Sequence, residues 1–111
     1  ALVDLTGRLS LPEVAAVIGR SQLALGVDSM AMHLAAMARV PQVVLFGPTN
    51  PFHWRPLQGR AVVVSAVTGG VKTDFEPREK GAEMSRISVE MVLSAVEKRL
   101  SDAEWHGTCG L

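Results

Sequence analysis

Cysteine is nearly absent from this chain: Cys109 stands alone among 111 residues. One cysteine closes no internal disulfide, and no Cys/His spacing matches a zinc site, so packing must hold the core. The scarcity suits a reducing, cytoplasmic compartment. Net charge is missing as well. Eleven Lys and Arg balance eleven Asp and Glu, with five basic and three acidic residues in 1–60 and six and eight in 61–111. A nucleic-acid-binding module normally carries a basic stripe, and a membrane-surface binder a polybasic patch; neither is present. Long apolar runs are lacking too. The most apolar region, Leu23 to Phe46, is broken by Asp28, His33, Arg39 and Pro41 and is no membrane span. No signal-peptide pattern is visible. The text opens Ala-Leu-Val-Asp, without an initiator methionine, at what reads as the end of a strand. It is therefore expected to be a piece of a longer protein.

What is present is enough for one compact domain. Hydrophobic residues make up 48% and charged ones 20%, with mean hydropathy +0.24. After the short apolar segment Leu2–Leu5, Ser10 precedes Pro12 and lies three residues before Glu13, which is a capping box at a helix start. Leu11, Val14, Ala15 and Ile18 then give that helix a buried face, and Gly19 and Ser21 close it. Residues 23–27 read as a buried strand. A second helix, Met30 to about Arg39, is almost entirely Ala, Met and Leu and is expected to be buried on all sides, with its methionines as core filler and Pro41 stopping it. Residues 42–46 and 61–66 read as further strands, separated by a Gly47–Pro51 loop. From Lys72 to Glu90, nine of nineteen residues are charged, which predicts a solvated loop. Ser88 caps a last helix with Val89, Val92, Leu93, Val96 and Leu100 on one face. From Ser101 a loose tail is expected, onto which Trp105 could pack back. Alternating strands and helices with continuously apolar strands predict an α/β fold, a Rossmann-like parallel sheet with helices on both faces. Ligands on such sheets bind at the carboxyl ends of the strands, here Asp28-Ser29 and Gly47-Pro48-Thr49.

The corner Gly26-Val27-Asp28-Ser29-Met30-Ala31-Met32-His33 runs from a strand directly into a helix N-terminus. The first amides of a helix lack internal partners and carry about half a positive charge. A diphosphate fits there without a metal ion, with Ser29 as an extra donor and His33 one turn on. Asp28 would repel phosphate, so it either caps the helix or accepts from sugar hydroxyls. Two readings remain open: a plain helix cap with a core histidine, or a phosphate site. Thr49 and Asn50 are either loop punctuation or polar groups offered to the same ligand. The trio His53-Trp54-Arg55 either binds an anion or packs Trp54 under a loop with Arg55 over it. His106 and Cys109 are given no role.

Three blocks, Asp4 to Glu13, Gly26 to Ser29 with Met32 to Ala36, and Val44 to Pro51, occur in the order and spacing of one family. On these residues the chain resembles the C-terminal portion of glycosyltransferase family 9, the ADP-heptose:lipopolysaccharide heptosyltransferases. The Asp-Ser-x-x-Met-His form, with Trp54-Arg55-Pro56 downstream, is most similar to the heptosyltransferase III branch. The likeness covers roughly the first 55 residues, and residues 60–111 carry little of it. Two positions depart from it. Many members have Gly where Met30 stands, and the heptosyltransferase III pattern often has Pro where Ala31 stands.

The resemblance implies a two-domain GT-B enzyme, inverting and metal-independent, whose C-terminal half holds an ADP-sugar donor. It would place the backbone of Ser29, Met30 and Ala31 on the diphosphate, Asp28 on the heptose and His33 in support. Leu9, with Ser10 beside it, would pack on adenine, and Thr49 would border the sugar. No catalytic residue is expected here: the base, an Asp, and the site for the lipopolysaccharide core acceptor would lie in an N-terminal domain. Residues 1–111 would then be one donor-binding domain, inactive alone. The parent would be cytoplasmic, peripheral at the inner face of the inner membrane. Two other readings stand beside this one: a non-catalytic Rossmann-like module binding a nucleotide or a protein, and a GT-B-like nucleotide-sugar epimerase.

Overall fold

The computed structural model describes residues 2–57 and 61–109, with side chains as far as 101. The elements in chain order are α1 (Leu11–Gly19), β1 (Ala24–Val27), α2 (Met30–Met37), β2 (Gln42–Phe46), α3 (Pro51–Trp54), β3 (Ala61–Ser65), β4 (Gly70–Lys72), a 3-10 turn (Met84–Arg86) and α4 (Val89–Cys109). The sheet order is β1-β2-β3-β4. The first three strands are parallel, with Leu25 beside Val43 and Val43 beside Val62. Strand β4 was not expected. It turns back antiparallel on β3 through Thr68–Gly69, where Gly69 takes a positive φ of 71°.

Two small cores flank the sheet, one per face. Met32 of α2 packs on Val44, Phe46 and Val63. Ala95 of α4 packs on Val43 and Val64 from the other side. Alternate residues of β2 thus serve opposite cores, as the two-residue period of a strand requires. Helices cover both faces, as the apolar strands predict, and α1 lies outside, against α2.

Several expectations are corrected. Leu2–Leu5 joins no strand and is exposed, with Leu2 at 98%; its order comes from Asp4 Oδ1 accepting the Thr6 amide at 2.9 Å. Helix α2 is not buried all round. Met32, Ala35 and Ala36 face the core, whereas Met30 and Met37 are exposed, because only one side of α2 meets the sheet. Its stop precedes Pro41. The Val40 amide donates to the Ala35 carbonyl and the Arg39 amide to that of Ala36, with Arg39 at φ 58°, which is a Schellman ending. Helix α4 seats on Ala95, whose small side chain permits close approach, so Val89 and Leu93 remain exposed. It also continues to Cys109 where a loose tail was expected, and the packing of Trp105 lies outside the described side chains.

Candidate functional site

The capping signals at α1 are realised, but its expected buried face is not: Val14, Ala15 and Ile18 are half-buried and Leu11 is exposed, because α1 packs mainly on α2, outside the sheet. Ser10 Oγ accepts the Glu13 amide at 3.3 Å and Glu13 Oε1 accepts the Ser10 amide at 2.9 Å. The Ser10 amide, and secondarily its hydroxyl, holds the Glu13 carboxyl below the usual glutamate range. The Ser10 side chain is therefore committed to its own helix, and Leu9 beside it is half-buried.

The β1–α2 corner behaves differently. Ser29 is the N-cap of α2 by backbone geometry, yet its side chain makes no capping bond. Met32 donates to the Ser29 carbonyl at 3.1 Å, and no side-chain oxygen caps the amides of the first turn. Of the two readings of Asp28-Ser29, the side-chain cap is the one not formed. The corner sits at the carboxyl end of β1, with Asp28 half-buried and Ser29, Met30 and His33 exposed. Gly26 lets the corner close on its own core: a Cβ there would lie 2.9 Å from Met32 Cε. His33 is no core histidine, for it lines a surface groove.

Thr49 lies exposed at the carboxyl end of the neighbouring β2, the next strand end along the sheet. Of its two readings, loop punctuation or a polar group for the ligand, Asn50 takes the first. Its Oδ1 accepts the Phe52 amide at 3.0 Å, capping α3 with Pro51 in the first turn, and its Nδ2 donates to the Glu76 carbonyl at 2.9 Å. His53 also ties back, its Nε2 lying 2.9 Å from the Pro77 carbonyl oxygen. Arg55 covers Phe75, at 4.1 Å from the ring centre, and not Trp54, which is exposed.

These bonds fasten residues 73–83 as a strap over the β2–α3 loop; the stretch is a mostly exposed loop, as its charges predict, but one held by specific contacts. The Ala82 amide donates to the Gly47 carbonyl at 3.0 Å. Gly81 packs so closely on the Pro48 carbonyl that a Cβ has no room. Lys72, buried on β4, reaches Glu79 at 2.7 Å and anchors the strap from below. Sequence reasoning missed this strap. Gly81 inside a charged stretch was the one local sign of a close backbone approach. Among the described residues no helix is long and apolar enough to cross a membrane.

The chain is similar in sequence to known proteins. The model of glycosyltransferase family 9 (heptosyltransferase) matches residues 1–83. The chain is 33% identical over 97 residues to lipopolysaccharide heptosyltransferase 3 of Escherichia coli, covering 86% of this chain and 28% of that protein. It is 30% identical over 102 residues to lipooligosaccharide heptosyltransferase 2 of Haemophilus influenzae, covering 89% and 30%. This chain thus spans less than a third of the length of either relative. No solved structure matches it. With the family model matching about three quarters of the chain, the chain belongs to glycosyltransferase family 9.

Proposed function

We propose that this chain is the donor-binding part of a glycosyltransferase that moves heptose from ADP-heptose to the lipopolysaccharide core. The observation that carries the reading is the uncapped start of α2. Ser29 supplies no side-chain bond, so the first amides stay available at a strand's carboxyl end, where α/β sheets bind ligands. Backbone amides and the helix dipole would hold the donor diphosphate without a metal and stabilise it as it leaves. Asp28 would accept from heptose hydroxyls, and Thr49 would border the sugar. Because Ser10 is occupied by its capping box, the adenine contact falls to Leu9.

The reaction would be a direct, inverting displacement, its base supplied by a preceding domain that also binds the acceptor. Residues 1–111 alone would not turn over, and the parent would work in the cytoplasm at the inner face of the membrane. The test is calorimetric titration of the intact parent with ADP and with UDP, repeated for Asp28→Ala and His33→Ala. Tight ADP binding that each substitution weakens supports the reading. Failure of both nucleotides to bind, or indifference to both substitutions, refutes it.

A further inference from the structure

Beside the corner lies a groove of about 400 Å³ between α2 and α3, lined by His33, Ala36, Met37, His53, Arg55 and Pro56, with Leu57 at its rim. We propose that this groove binds a sugar carrying a phosphate or carboxylate group, in a subsite separate from the donor diphosphate.

Its chemistry follows from the groups that face it. Arg55 is half-buried, and one guanidinium nitrogen, Nη1, donates to the carbonyls of Pro51 and Phe52 at 3.2 and 3.1 Å. These bonds and the Phe75 ring fix the plane of the guanidinium without neutralising it. No carboxylate within ion-pair distance of Arg55 is found among the described residues. An oriented, partly desolvated guanidinium favours an oxyanion over a neutral ligand. His53 adds a different demand. Its Nε2 faces a carbonyl, which only accepts, so that nitrogen carries the proton and Nδ1 of the neutral ring is an acceptor. An acceptor beside an arginine suits a ligand with both an anionic oxygen and hydroxyl groups. Exposed Met37 supplies apolar surface for a pyranose face, with buried Ala36 and Pro56 behind it at the groove floor.

Position separates this subsite from the diphosphate. Ala36 and Met37 lie two turns into α2, about 10–12 Å along the axis from Ser29 at 1.5 Å per residue, while His33, one turn in, borders both sites. A ligand there lies alongside a diphosphate at the first amides and does not overlap it. The inference rests on the donor-corner reading for its place in a reaction, though its own chemistry stands apart.

The experiment is an NMR titration of the 111-residue chain, following the imidazole signals of His33 and His53. The probes are glucose 6-phosphate, glucuronate, glucose and inorganic phosphate. Glucose 6-phosphate or glucuronate should shift both rings saturably, and the stronger of the two identifies the acidic group. Glucose and inorganic phosphate should each bind at least about tenfold more weakly, the cost of losing a charge-assisted bond or the hydroxyl contacts. Arg55→Gln should weaken binding about tenfold, but it also removes structural bonds. Met37 is 73% exposed, so its substitution leaves the fold intact. Met37→Glu should weaken acidic sugars several-fold, and Met37→Lys should tighten them. Saturating ADP should not displace the acidic sugar, whose binding is then read from His53, since His33 borders both sites. Binding of the acidic sugar without any ADP binding retains the groove and removes the donor reading. Displacement by ADP, equal binding of glucose, or no response of either ring overturns the groove.

Discussion

The side-chain amide of Asn50 donates to the carbonyl of Glu76 at 2.9 Å, across twenty-six positions of sequence, while its oxygen caps α3. One side chain therefore fixes both the β2–α3 loop and the strap above it. Asn50→Asp keeps the cap and loses the donor; Asn50→Ala loses both. The expected costs are about 1 kcal/mol for the aspartate and about 2 kcal/mol for the alanine, from typical cap and hydrogen-bond values. Urea denaturation of the two variants checks the order.

Arg39 occupies a left-handed backbone position that glycine adopts without strain. Arg39→Gly should stabilise the protein by about 0.5–1 kcal/mol, relief of strain outweighing the added freedom of the unfolded chain. A rise in Tm checks it, and Arg39→Ala, which keeps a Cβ, should show no comparable gain.

The Lys72–Glu79 pair joins a buried lysine to a carboxylate with 22% of its side chain exposed. Removing the partner strands the ammonium in the core, a loss of about 2 kcal/mol for Glu79→Ala after discounting the exposed side. Lys72→Met with Glu79→Gln removes both charges and should recover most of that loss. Chemical denaturation of the single and double variants measures the difference.

Two carboxyls near the N-terminus make stability pH-dependent. The Ser10 amide holds Glu13 low, and the Thr6 hydroxyl, then its amide, holds Asp4 low. A depressed folded value means that the contribution is complete above the ordinary carboxylate range. It is lost as pH falls through the lower folded value. Thermal melts between neutral and acid pH should show this loss, and Glu13→Gln should flatten the part due to α1.

Local signals made part of this molecule legible in the sequence. Ser10, Pro12 and Glu13 announce α1, because a capping box is complete within four residues. The runs at 23–27, 42–46 and 61–66 announce strands, although the first, at the sheet edge, is half exposed and not buried, and Asp28-Ser29 lies where strand meets helix. The strap did not show, because Asn50 and Gly81 act on partners far along the chain, and Lys72 meets Glu79 seven positions on, outside any helix or strand period. The charged stretch is solvated as it reads, but its charges do not tell that buried Lys72 pairs with Glu79. The ending of α2 was hidden for another reason: arginine carries no left-handed signal. Nor did the Ala and Met pattern of α2 separate its core side from its open one.

The central claim is that the uncapped amides at the start of α2 hold the donor diphosphate. Amide NMR of the isotopically labelled parent, titrated with ADP and in parallel with adenosine, tests it most directly. The account predicts that the Met30 and Ala31 amides move strongly with ADP and hardly at all with adenosine, since only ADP carries phosphate. Unmoved amides at saturating ADP, or equal shifts with adenosine, would contradict it.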